Sequence, residues 1–244
     1  MPAFFADKDK IGETGIEIVG DDAFHIARSL RMAVGDALTI NDGEGMSYYC
    51  KLTRIRDDAC ECEILSSAPS KAEPPVKITL YMAYPKGDKL ETVIQKAVEL
   101  GASKIVPFES ERCVKRPKAE KIDKQTARLR RIAVEAAKQC GRGILPEVSA
   151  PVSFSEMLSE AKAHDLSLFC YEGEGAQSLK AILDEQNGIK TACAIVGSEG
   201  GFSKAEAERA REDGLIMTNL GPRILRCETA PAYVLSALSY RFEL

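Results

Sequence analysis

The sequence predicts an α/β protein, a mostly parallel sheet covered by helices and preceded by a small β-barrel. Three observations carry this. Short strand patterns punctuated by turns fill residues 1 to 70. Apolar strands and amphipathic helices alternate from Val76 onward, and a Ser/Ala/Pro-rich stretch, 66–75, reads as a linker between the two rhythms. The expected domains are therefore 1–70 and 76–244.

In the first domain, 16–19, 37–40, 46–55 and 59–65 are strands by their β-branched, aromatic and apolar content. Asn41-Asp42-Gly43-Glu44-Gly45 and Arg56-Asp57-Asp58 supply turns between them. A short helix fits 22–30, with Asp21 or Asp22 as its cap. In the second domain, strand 76–83 leads to helix 88–100, ended by Gly101, and then to strand 104–108. A long helix over 121–140 stops at Gly141. Helix 153–163, strand 166–171, helix 178–186, an apolar strand from Ala192, helix 204–212, the short strand 215–217 and a closing helix 230–242 follow. Alternation of this kind builds a parallel sheet with helices on its faces.

Composition narrows the class. With 244 residues, 45% hydrophobic and 29% charged, this is an ordinary soluble globular composition. No apolar run approaches the roughly 18 residues of a membrane span. The start, Met1-Pro2-Ala3-Phe4-Phe5-Ala6-Asp7-Lys8, lacks the order of a signal peptide, so a cytoplasmic protein without a membrane partner is expected. The eight cysteines include no C-x-x-C pair, and His25 and His164 stand far apart, so reduced, mostly buried thiols and no metal site are expected.

The net charge of −4 conceals an asymmetry. Residues 1–72 hold 8 Lys/Arg against 13 Asp/Glu, whereas 104–142 hold 12 against 5. At about 100° per residue, the long helix puts Ile122, Thr126, Leu129, Ala133, Ala136, Ala137 and Cys140 on one face. Lys121, Lys124, Arg128, Arg131 and Lys138 fall in a separate sector. A directional basic surface suits a polyanion, and RNA is the expected partner.

The last quarter of the chain carries the chemistry. Ile195-Val196-Gly197-Ser198-Glu199-Gly200-Gly201-Phe202 and Leu220-Gly221-Pro222-Arg223-Ile224-Leu225-Arg226-Cys227-Glu228-Thr229-Ala230 each join a strand to a helix. Tyr171-Glu172-Gly173-Glu174-Gly175 repeats the theme. Glycine lets a ligand approach the backbone, and ligands of open parallel sheets bind beyond the carboxyl ends of strands. Neither the P-loop pattern nor the dinucleotide fingerprint is present, which excludes the commonest nucleotide sites. Three such turns could surround one nucleoside.

Ordered segments along nearly the whole chain resemble the RsmE family, the 16S ribosomal RNA uracil-N3 methyltransferases of the SPOUT (α/β-knot) superfamily. They begin with Arg28-Ser29-Leu30-Arg31 and Val34-Gly35-Asp36, then Pro85-Lys86-Gly87-Asp88-Lys89-Leu90-Glu91 ahead of Ile94-Gln95-Lys96-Ala97. They continue through Glu99-Leu100-Gly101, Pro107-Phe108, Ser110-Glu111-Arg112-Cys113 and Gln139-Cys140-Gly141-Arg142, and close with the two glycine segments and Glu228-Thr229-Ala230. The chain departs from the family at Ala3, where a basic residue is common, at Ser198, where proline is usual, and at Cys227, where threonine is common.

The resemblance implies a PUA-like RNA-binding barrel over 1–70 and, over 76–244, a knotted domain that binds S-adenosylmethionine and forms a homodimer. It implies that Tyr171, Glu172, Gly173, Val196, Gly197, Glu199, Gly200, Gly201, Leu220, Gly221, Ile224, Leu225 and Arg226 enclose the cofactor. Arg226 is expected to stabilise charge on the uracil, and Glu228 to act as a base or to orient that arginine. Arg28, Arg31, Lys86, Lys89, Arg112, Lys115, Arg128 and Arg142 are expected to contact 16S ribosomal RNA or the small subunit. The rivals are a SPOUT methyltransferase with another target, such as a ribose 2′-hydroxyl or a different base, and a non-catalytic RNA-binding protein that keeps the fold.

Overall fold

A computed structural model describes the chain from Met1 to Leu244 apart from Asp57, Lys115 and Lys118. The turn expected at 56–58 and the RNA contact expected of Lys115 therefore involve residues outside those described. The chain forms two compact units, Met1–Glu73 with Ala137–Leu145, and Pro74–Ala136 with Pro146–Leu244.

In the first unit, β1 (Ala3–Phe5), β2 (Gly15–Val19), β3 (Ala37–Asn41), β4 (Met46–Ile55) and β5 (Ala59–Pro69) form one sheet in the order β1-β3-β4-β5-β2. Period-two alternation gives it a buried face. Leu38 lies opposite Cys50, Leu52 opposite Cys62, and Ile18 opposite Cys60, all in one core with Phe4 and Ile26. All eight cysteines are free thiols.

Three details differ from expectation. Strand β1 lies in a segment given no element, because its three residues gain their order from parallel pairing with β3. Strand β5 runs on to Pro69, so the first part of the expected linker is strand, with Ser67 opposite Tyr48 and Ala68 opposite Ser47. The helix at 22–30 is a short α1 (Asp21–Phe24) that widens into a π-helical turn, His25–Ser29, and Gly20 rather than an aspartate is the cap residue.

The segment 137–145 brings Arg142 into this first unit. Arg142 is only 3% exposed; its Nη2 lies 2.7 Å from Glu73 Oε2, and Glu73 Oε1 also accepts the Gly143 and Ile144 N–H groups. Burying this charge is tolerable because the carboxylate and its hydrogen bonds accompany it. The expectation of Arg142 as an RNA contact is thereby corrected, since a buried, ion-paired guanidinium does not reach a phosphate.

The second unit contains β6 (Lys77–Ala83), α2 (Lys89–Glu99), β7 (Ala102–Glu109), α3 (Ile122–Cys140, whose last residues join the first unit), β8 (Glu147–Val148) and β9 (Val152–Ser153). It continues with α4 (Phe154–Ala161), β10 (Leu166–Cys170), β11 (Gln177–Ser178), α5 (Leu179–Glu185), β12 (Thr191–Val196), α6 (Lys204–Glu212), β13 (Ile216–Asn219) and α7 (Thr229–Phe242). The sheet order is β11-β13-β10-β12-β6-β7-β8, every neighbouring pair is parallel, and β9 pairs with β7. Strands β6 and β12 are buried almost end to end, as strands covered on both faces must be. Strands β8, β9 and β11, of two residues each, are too short to leave a periodic signal.

Helix α3 presents the expected faces. Thr126, Leu129, Ala133, Ala136 and Ala137 are buried, while Lys124, Arg128 and Arg131 are exposed. Lys138 instead pairs with Asp22 at 2.6 Å. Helices α4 and α6 start with capping boxes, Ser153 with Glu156 and Ser203 with Glu206, which satisfy N–H groups that a helix start leaves open.

Candidate active site

Strands β13, β10 and β12 are parallel neighbours, so their carboxyl ends open on the same side of the sheet. The turns leaving them line one cavity of about 680 Å³. Each turn is held by its own local chemistry.

The first turn leaves β10 through Tyr171, whose N–H donates to Thr218 O at 2.9 Å, and Tyr171, Glu172 and Gly173 reach the cavity wall. The second leaves β12 through Val196, Gly197, Ser198, Glu199, Gly200 and Gly201, all on the wall. It folds back so tightly that a β-carbon on Gly197 would lie 3.0 Å from Gly201 Cα. Beneath it, Phe202 packs on Phe169 with ring centroids 4.2 Å apart, and Phe108 and Phe154 complete the aromatic cluster. Beyond it, Ser203 caps α6, and the buried Glu206 carboxylate accepts both the Ser203 N–H and the Glu111 N–H. The turn is thus pinned on both sides.

The third turn follows β13. Leu220, Gly221, Ile224, Leu225 and Arg226 lie on the wall. Gly221 adopts φ +100°, and a β-carbon there would project into open space. The Arg226 carbonyl accepts the N–H groups of Thr229 and Ala230 at 2.8 and 3.0 Å and so starts α7. Every residue expected to enclose the cofactor lies on this one wall.

Charge on the wall has a definite order. Lys89, the first residue of α2, is held between two carboxylates, 3.1 Å from Glu199 Oε1 and 3.2 Å from Glu228 Oε2. Hydrogen bonds to Glu199 and then Glu228 raise its pKa, so it stays an ammonium. Burial pushes the Glu199 carboxyl upward, but its own N–H, the Lys89 ammonium and the Lys86 N–H outweigh this and hold it below the usual range. Glu228 is lowered by its own N–H, by the Cys227 thiol at 3.2 Å and by Lys89. Burial, followed by the bond to Glu228, pushes Cys227 up to about 12, so it remains a thiol donor. By contrast, the exposed side chains of Arg226, Arg223 and Lys204 line the cavity with no hydrogen-bond or ion-pair partner among the described residues.

Two expectations shift here. Glu228 turns its carboxylate to Lys89 and Cys227 rather than to Arg226, because the ammonium at the start of α2 supplies the opposite charge. Lys89, expected among RNA contacts, has its charge engaged in the cavity wall. No local pattern could place it there, since about 110 residues separate it from Glu199. Arg112 also lines the cavity and donates to Gly200 O at 3.1 Å. Lys86 and Arg128 are exposed, the latter paired with Glu91 at 2.9 Å. Arg28 and Arg31 are exposed on the first unit, Arg31 in the left-handed region at φ +52°. Among the described residues there is no cluster of three or more His, Cys, Asp or Glu able to hold a metal, and no helix is long and apolar enough to cross a membrane.

Comparison with known proteins adds an independent line. An RNA methyltransferase domain family matches residues 72–239, and an RNA methyltransferase PUA domain family matches residues 18–65. The ribosomal RNA small subunit methyltransferase E of Bacillus subtilis is 36% identical over 93% of this chain and 90% of its own length. That of Aquifex aeolicus is 37% identical over 80% of this chain and 82% of its own. The crystal structure of the Neisseria gonorrhoeae enzyme of the same name, bound to S-adenosylmethionine, superposes with a TM-score of 0.87 at 30% identity, covering 98% of this chain and 97% of that one. Sequence and fold agree over almost the full length, and the chain belongs to the ribosomal RNA small subunit methyltransferase E family of RNA methyltransferases.

Proposed function

We propose that this protein transfers a methyl group from S-adenosylmethionine to N3 of one uridine in 16S ribosomal RNA. The observation that carries the reading is the convergence of three glycine-bearing turns on one cavity that also holds Arg226, whose side chain has no hydrogen-bond or ion-pair partner among the described residues. The cavity's volume of about 680 Å³ falls in the range of small-molecule sites, roughly 300–1,000 Å³. The open space beside Gly221 leaves backbone accessible to a ligand, which fits a cofactor held largely by main chain.

When bound, the cofactor supplies an electrophilic methyl on a sulfonium. The protein's part is mostly positioning, because in-line displacement depends on alignment of the reacting atoms. The aromatic cluster under Phe202 and the Ser203 cap keep the second turn rigid. With the cofactor bound, a bond from N3 to the methyl carbon would form as the carbon–sulfur bond breaks and leaves a neutral thioether. The N3 proton would pass to water, and negative charge would develop on the flanking carbonyl oxygens. Arg226 stabilises that charge, and the lack of a carboxylate partner among the described residues keeps it available. Because N3 lies on the pairing edge, the uridine enters unpaired or flipped out.

The reading includes a PUA-like barrel over 1–70 that helps hold the RNA, a catalytic domain over 76–244 whose backbone is knotted, a cytoplasmic location and a homodimer. Tyr233 and Tyr240, 45% and 75% exposed and seven residues apart on α7, support the dimer as an apolar stripe suited to a second copy. Arg28, Arg31, Lys86, Arg112 and Arg128 are the proposed phosphate contacts. RNA affinity measured by fluorescence anisotropy should then fall by orders of magnitude as salt rises from about 50 to 200 mM; a flat response would remove those contacts.

The decisive experiment incubates the protein with labelled S-adenosylmethionine and small subunits from a strain lacking it, then maps the product by mass spectrometry. N3-methyluridine at one position is expected. Methylated ribose would favour the 2′-hydroxyl rival, and cofactor binding with no transfer to any RNA would favour a binding protein.

A further inference from the structure

We propose that Lys89 is a positioning residue that ties the second and third turns to the start of α2 and so sets the width of the cavity. The inference rests on the reading of that cavity as the S-adenosylmethionine site. Its basis is geometric. One ammonium joins three elements distant in sequence: Glu199 in the turn after β12, Glu228 at the cap of α7, and α2 itself. The Lys86 N–H donates to both oxygens of Glu199, at 3.1 and 3.3 Å, so the same carboxylate is gripped twice from the α2 side. Cys227 Sγ lies 3.7 Å from Lys89 Nζ and 3.2 Å from Glu228 Oε2, which closes the cluster over a buried thiol.

An isolated surface ion pair does little, because each partner trades water for the other and loses side-chain freedom. This cluster differs in that its members are about two-thirds or more buried and none can move without releasing another turn. Without Lys89, two carboxylates would face each other across the gap, and their repulsion would spread the turns that have to close on the ligand. The direct contact is with the wall and not with the reacting atoms, so the expected signature is weaker cofactor binding with turnover recovered at saturation.

The test is a double-mutant cycle on the full chain. Dissociation constants for S-adenosylmethionine are measured by calorimetry for the parent, Lys89→Met, Glu199→Gln and the double variant, with steady-state kinetics on small subunits alongside. Each single substitution should weaken binding roughly tenfold, and the double variant should be no weaker than about either single one, because both break the same bridge. KM for the cofactor should rise while kcat stays within about threefold of the parent. Lys89→Arg should recover part of the affinity, and supplies the comparison if the methionine variant does not fold. Parent-like affinity in Lys89→Met, or single effects that simply multiply, would overturn the role; so would an unchanged cofactor affinity accompanied by weaker RNA binding, which would return Lys89 to the RNA contacts. A parent protein that binds no S-adenosylmethionine would instead remove the reading of the cavity on which the role rests.

Discussion

Replacing Arg226 with alanine is expected to lower kcat by about two to three orders of magnitude while the protein still folds and binds S-adenosylmethionine within a few-fold of the parent. The magnitude is that of removing one preorganised donor from developing charge. The structure gives three reasons to expect so clean a separation. The guanidinium is exposed and makes no hydrogen bond or ion pair with any described residue, so its loss orphans no partner. The role Arg226 plays in the fold belongs to its carbonyl, which starts α7 by accepting from Thr229 and Ala230, and alanine keeps that carbonyl. Finally, the second and third turns are braced by Lys89, Glu199 and Glu228, none of which contacts the arginine side chain. Single-turnover methylation with saturating cofactor measures the chemical step directly. Parent-like turnover would exclude the arginine from the mechanism.

The second large effect is expected at Gly221. Valine there should abolish measurable cofactor binding, an effect of a hundredfold or more. Two causes act together. At φ +100° a β-branched residue is strained, which costs on the order of 1–3 kcal/mol of stability, and the new side chain projects into the open space beside the cavity wall. Thermal unfolding with and without cofactor separates them. Strain lowers the midpoint of the free protein. Obstruction removes the stabilisation that a hundredfold excess of cofactor over its Kd confers on the parent, about 2.7 kcal/mol. A valine variant stabilised by S-adenosylmethionine as much as the parent would show that the ligand lies elsewhere. Gly221→Ala, which shares the strain and adds less bulk, should fall between the two.

Much of this protein is legible in one dimension. Strand β4 and helix α6 fall where local pattern puts them, because period-two alternation, a serine cap and a glutamate three residues on are properties of neighbours in the chain. The packed and solvated faces of α3 follow from helical spacing for the same reason. The glycine turns stand out in the sequence because glycine between an apolar strand and a helix start permits tight turns and close approach to backbone. Elements without a local signal escaped, among them β1 and the two-residue strands, whose order comes from partners far along the chain.

Periodicity, capping and conformational freedom act over a few residues, so the longer strands and helices, and three turns with backbone suited to a ligand, are written in local pattern. Strand pairing across the fold set β13, β10 and β12 side by side, so that turns beginning at Tyr171, Val196 and Leu220 share one cavity. The tertiary structure also decided the fate of individual charges: Arg142 buried on Glu73, Lys89 held between two carboxylates, and Arg226 without a partner among the described residues. The physical reason is that strand order and the pairing of side chains are settled by non-local contacts and by which groups lose their water, and neither leaves a mark on the spacing of residues along the chain.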